Sequence, residues 1–134
     1  MDDEALVREL TSRQVPLTVC PLSNVKLGVF PRLEAHNLRH MLERGLCVTV
    51  NSDDPAYFGG YLAENLIAAQ QALHLTAGQL YQLTRNAIQA AFLPEPEKQV
   101  LLDRATDAYQ QPSASVDCVS GAPRARRGRR AGRL

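Results

Sequence analysis

The chain has 134 residues, of which 45% are hydrophobic, enough for one modest globular domain and too apolar for a disordered segment. No apolar run approaches the roughly 20 residues needed to span a bilayer, and the acidic start Met1-Asp2-Asp3-Glu4 argues against a signal peptide, so the cytoplasm is the expected compartment. Six of the 15 basic residues lie in residues 121–134, and the remaining nine face 14 acidic residues, a net charge of −5 that excludes a nucleic-acid footprint on the body of the chain. The three cysteines, Cys20, Cys47 and Cys118, are too widely spaced for a zinc finger or a disulfide framework.

In chain order, Leu6, Val7 and Leu10 predict a helix over residues 3–13. Val15 to Cys20 is short, β-branched and apolar, a buried strand with Pro16 near its start and Pro21 after its end. Residues 21–31 are expected to form a loop. Leu38, Met41 and Leu42 mark a helix over residues 32–44, closed by Gly45. Leu46 to Val50 is a second buried strand, broken by Asn51-Ser52-Asp53-Asp54-Pro55. Helices follow over residues 60–75, 77–92 (with Thr76 as N-cap) and, opened by Pro94 and Pro96, to about residue 110. Residues 111–134 are rich in Pro, Ser, Gly and Arg and are expected to be a disordered tail. Both strands are continuously apolar, as in parallel sheets covered on both faces. The pattern is α/β with right-handed crossovers, and two strands cannot close such a sheet.

Asp53 and Asp54 are the residues on which chemistry can rest. Polar groups just past the C-terminal ends of parallel strands face the site in α/β folds. Two adjacent acids repel unless something positive sits nearby, and a carboxylate is a good zinc ligand. Successive side chains diverge, so one acid ligates and the other is free to hold substrate. The alternative is that one Asp caps the next helix and the other is solvated.

Three stretches carry a resemblance. Pro16 to Phe30 (P-L-T-V-C-P-L-S-N-V-K-L-G-V-F) resembles the seventh strand and following loop of the adenosine and adenine deaminase family. Val48 to Gly59 (V-T-V-N-S-D-D-P-A-Y-F-G) resembles its eighth strand and acidic pair, and Ala87 to Asp103 its closing helices. His36-Asn37-Leu38 and the Pro55-to-Tyr61 run are closer to the adenine deaminase branch. The resemblance implies the C-terminal fragment of a TIM (β/α)8 barrel over residues 1–110, with the last two strands and the closing helices. It implies one zinc per complete site, whose bound water attacks the purine carbon bearing the amino group. Asp53 matches the zinc-ligating aspartate, and Asp54 matches the aspartate that binds a purine ring nitrogen.

The family's other zinc ligands, the H-x-H pair of the first strand and the histidine of the fifth, have no counterpart here. Neither do its acid-catalyst glutamate nor the histidine of its sixth strand. A full barrel needs about 250 residues, and the chain is expected to start near the helix after the sixth strand. The isolated chain is therefore expected to lack deaminase activity and tight zinc binding, with a purine base or nucleoside as substrate and the missing barrel segment as partner. Two other functions are weighed against this one. An interaction module would pair its open strand edges with another chain, and the arginine tail would bind nucleic acid without sequence preference.

Other residues draw plainer readings. His36 and His40 are four apart, on one helix face, without the glutamate of a zinc motif, and are expected to pack or to lie at the surface. His74 reads the same way. Cys20 and Cys47 are expected to be inert in buried strands. Asn24 and Lys26 are expected to stabilise their loop, and Tyr57, Phe58 and Tyr61 to pack the barrel rim.

Overall fold

The computed structural model describes residues 3–111; the expected arginine-rich tail and Cys118 lie outside them. The first helix, α1 (Glu4–Arg13), begins where the Asp3 carboxylate accepts the Leu6 N–H at 2.9 Å, and it ends at Gln14 in the left-handed conformation. The Gln14 side-chain amide donates to the carbonyls of Thr11 and Gly45, and Arg44 pairs with Glu4. These bonds tie the end of α1 to the turn that enters the second strand.

The strands β1 (Leu17–Val19) and β2 (Val48–Val50) pair in parallel, with Leu17 opposite Val48, Thr18 opposite Thr49 and Val19 opposite Val50. Side chains alternate across a strand, so Val19, Val48 and Val50 share one face. There they join Leu38, Leu46, Ala69, Leu73, Leu75 and Leu83 in the core. Thr18 and Thr49 take the opposite face. The ladder uses the Cys47 carbonyl and the Asn51 N–H toward β1, which turns the Val48 carbonyl to the outer edge of β2. That carbonyl accepts a 2.8 Å hydrogen bond from the side-chain amide of Asn86, a buried residue of the later helix Ala77–Ala90. The helix thus covers part of an open edge. The outer edge of β1 has no such cover: the Thr18 N–H and C=O have no hydrogen-bond partner among the described residues.

Two expectations are corrected between the strands. Residues 21–31 are not all loop, because α2 (Pro21–Lys26) follows β1 directly. Pro21 occupies the first helical position, where its missing N–H costs nothing and its φ is already helical. The same proline ends the strand and starts the helix. Residues 32–44 are not one helix but a 3-10 turn (Leu33–Ala35) followed by α3 (Leu38–Glu43). The break falls at His36, whose Nδ1 accepts the Leu38 N–H at 3.0 Å. A side chain thereby takes a donor that a continuous helix would have turned to its own backbone.

After β2 comes a further short helix, α4 (Pro55–Phe58), then α5 (Leu62–Leu73), α6 (Ala77–Ala90) and α7 (Glu95–Gln110). Thr76 and Gln79 form the reciprocal capping box that opens α6. Tyr81 of α6 stacks on Tyr109 of α7 with ring centres 4.6 Å apart, and its hydroxyl bonds Thr106. Among the described residues no helix is long and apolar enough to cross a membrane. Leu62, Leu66, Leu83, Ala87, Ile88 and Leu101 line an apolar cleft of about 340 Å³ between α5, α6 and α7, with Val50 also in its wall.

Candidate functional site

The site gathers where β1 and β2 end. Asp53 follows β2 by three residues and holds φ at +58°, the left-handed region that costs a non-glycine residue roughly 1–2 kcal/mol. It is exposed, and its Oδ2 accepts a 2.8 Å hydrogen bond from the Ser23 hydroxyl on α2, whose residue is 1% exposed. Asp54 is the N-cap of α4, where its Oδ1 accepts the Tyr57 N–H at 3.0 Å. The capping role weighed for one of the two acids therefore belongs to Asp54. Its Oδ2 has no hydrogen bond among the described residues, so the cap leaves one acceptor oxygen open.

Behind the acids, α2 is pinned through three successive residues. The Leu22 N–H donates to Oδ1 of Asn65 at 3.2 Å, Ser23 donates to Asp53, and Asn24 Oδ1 faces His36 Nε2 at 3.1 Å. Asn65 is fully buried and also donates to the carbonyls of Gly60 and Tyr61. Since Nδ1 of His36 accepts from Leu38, Nε2 carries the ring proton and donates to Asn24. Phe30 packs on that ring at 4.2 Å, and burial pushes the His36 pKa down. Gly60 lies so close to α2 that a Cβ there would come within 2.7 Å of Leu22 Cδ1.

His36 has the packing role expected of it, but it does not share a helix face with His40, because it precedes α3 and is buried while His40 is exposed. His74 is an exposed left-handed C-cap of α5. Cys47 is buried just before β2. Cys20 is half-buried at the start of α2 rather than inside β1, and burial and then the Asp53 charge raise its thiol pKa. Asn24 stabilises its segment through His36, as expected. Tyr57 meets Phe58 edge-on with ring centres 4.9 Å apart, and Tyr57 and Tyr61 are 71% and 70% exposed. Ser23 and Asn65 escaped the sequence reading. The polar residues of Cys20-Pro21-Leu22-Ser23-Asn24 immediately past a strand end were the available signal for Ser23.

The donor set does not fit a complete zinc site. Asp53 offers a single carboxylate, and among the described residues no three His, Cys, Asp or Glu side chains cluster to hold a metal. Structural and catalytic zinc sites use three or four protein ligands.

A carboxylate pair at the mouth of a parallel strand, backed by helices, is the layout of an α/β enzyme site. Comparisons with known proteins show the family and the fold. The adenosine deaminase family matches residues 1–108, and the chain belongs to that family. It is 60% identical over 99 residues to the adenine deaminase of Chlorobium phaeobacteroides, covering 74% of this chain and 30% of that protein. It is 58% identical over 101 residues to the adenine deaminase of Crocosphaera subtropica, covering 75% and 31%. The crystal structure of adenine deaminase from Arthrobacter aurescens superposes with a TM-score of 0.81 at 44% identity, covering 83% of this chain and 34% of that one. The N6-methyl-AMP deaminase of Arabidopsis thaliana shares the fold with a TM-score of 0.68 at 23% identity, covering 79% and 32%. The chain thus spans about a third of the length of the relatives it matches. Its architecture is part of a (β/α)8 barrel: the last two strands and the closing helices.

Proposed function

We propose that this chain supplies the acidic corner of a zinc-dependent adenine deaminase. Asp53 is the metal-ligating carboxylate and Asp54 the carboxylate that binds the purine. The observation that supports this most is the position of the pair just past β2, in a chain 60% identical to an adenine deaminase. The reaction is hydrolytic: water replaces the amino group of adenine, giving hypoxanthine and ammonia. Deamination of adenosine to inosine is the neighbouring alternative. The setting is purine salvage in the cytoplasm. Residues 1–110 form the barrel portion and 111–134 a separate arginine-rich tail.

Asp54 suits its role because the Tyr57 N–H takes only Oδ1, leaving Oδ2 to accept a hydrogen bond from a ring N–H of the purine. Tyr57 and Tyr61 follow Asp54 closely in the chain, and their exposed rings offer apolar faces to a base. Zinc belongs to the completed barrel rather than to this chain, which offers a single candidate ligand among the described residues and is inactive by itself. The partner is the rest of a deaminase barrel, and the open outer edge of β1 at Thr18 is where a neighbouring strand pairs. The same edge supports a second reading, a non-catalytic module that complements another chain.

The test is a chimera in which residues 3–111 replace the matching third of the Chlorobium relative. The expected outcome is adenine turnover within about tenfold of that relative (about 1.4 kcal/mol in the barrier), with none from the chain alone. A folded chimera without turnover contradicts the proposal.

A further inference from the structure

We infer that Ser23 is a positioning residue for Asp53: its hydroxyl holds the carboxylate in one orientation and leaves Oδ1 as the oxygen open to a ligand. The inference deepens the proposed function and rests on it for what Oδ1 binds, while the orientation itself belongs to this chain.

Asp53 has little else to hold it. It lies in an irregular segment, its side chain is exposed, and its backbone occupies the left-handed region. An exposed aspartate in such a place exchanges freely among its staggered rotamers. The Ser23 hydroxyl restrains it from 30 residues away at 2.8 Å. A hydrogen bond to a charged acceptor is stronger than one between neutral groups, and a buried hydroxyl without an acceptor is costly. The 1% exposure of Ser23 therefore makes Asp53 Oδ2 the destination of its proton.

The donor itself cannot drift. Leu22 is tied to the buried Asn65 of α5, and Asn24 to the buried His36, so the residues on both sides of Ser23 are fixed to different elements. A hydroxyl that merely satisfied its own burial would need none of this flanking support.

The test reads rotamers in the full chain. Three-bond Hα–Hβ couplings of Asp53 are measured by NMR in the wild type and in Ser23→Ala, with amide dispersion as the check on folding. The wild type is expected to show the couplings of a single rotamer, and Ser23→Ala to shift both toward the averaged value. Averaged couplings in the wild type, or a single rotamer in both proteins, would overturn the inference. Asp53→Ala guards against a misfolded serine variant, because it removes an exposed side chain. The slowly exchanging Ser23 hydroxyl proton expected in the wild type is lost in Asp53→Ala, and its persistence there counts against the inference. No metal enters either measurement, so a failure here leaves Asp53 as a zinc ligand standing, and a failure of zinc binding leaves this result untouched.

Discussion

The strand-end corner and the layer of closing helices are finished to different degrees. Around Asp53 and Asp54 the polar groups find partners inside the chain: Ser23 with Asp53, Asp54 with Tyr57, Asn65 with Leu22, His36 with Asn24 and Leu38. Between α5, α6 and α7 the apolar groups do not: a cleft of about 340 Å³ stands open, Leu62 and Ile67 are about half exposed, and Phe92 is fully exposed. The sheet repeats the contrast, since Asn86 covers the outer edge of β2 while the outer edge of β1 has no partner among the described residues. Directional bonding holds the corner in place locally. Hydrophobic burial is not completed within the described residues, and a barrel spreads such burial around its whole circumference.

Three measurements bear on that contrast. The largest effect belongs to the core that both regions share. Leu38 is 0% exposed, and Leu38→Ala is expected to lower unfolding free energy by about 2–5 kcal/mol in denaturant titration. A loss below about 1 kcal/mol would show that the chain lacks a consolidated core. Next comes the polar frame of the corner. Asn65→Ala strands the Leu22 N–H and is expected to cost about 1–3 kcal/mol. Hydrogen exchange should then rise first in α2, and a uniform rise across the chain would deny the corner its separate identity.

The smallest effect is a pH dependence. Burial lowers the His36 pKa below the ordinary 6.5, so the unfolded chain binds its proton more readily than the folded one. The neutral ring's contribution is complete above 6.5 and is lost progressively as pH falls from 6.5 toward the lowered folded value. Protonation also removes the Nδ1 acceptor used by Leu38. His36→Gln is expected to flatten that part of the stability profile, and an unchanged profile would mean that His36 does not titrate with unfolding.

Much of the barrel was legible in the sequence. Val15 to Cys20 and Leu46 to Val50 are short, β-branched and mostly apolar runs that stop at Pro21 and at the Asn51-to-Pro55 segment, as buried parallel strands do. Thr76, read as an N-cap, announced α6 by a local rule, and the structure adds Gln79 as its capping-box partner. What escaped was short or distant. Residues 21–26 are too few for helical periodicity, and Pro21 reads equally as the end of a strand and the start of a helix. The split at His36 comes from a side chain taking a backbone donor, which the apolar stripe of residues 38–42 does not register. Asp54 was legible as one of two acids, but assigning the cap to it needed the Tyr57 N–H in place. The Ser23–Asp53 bond joins residues 30 apart, brought together only by the pairing of β1 with β2.

The central claim is the division of labour between the two acids, and zinc content of the purified chimera tests it most directly. The account predicts one zinc per chain in the parent chimera, loss of zinc in Asp53→Asn, and retention of zinc with loss of adenine turnover in Asp54→Asn. Asparagine still accepts the Tyr57 N–H, so the α4 cap survives that change. Zinc retained in Asp53→Asn, or lost equally in both variants, would contradict it.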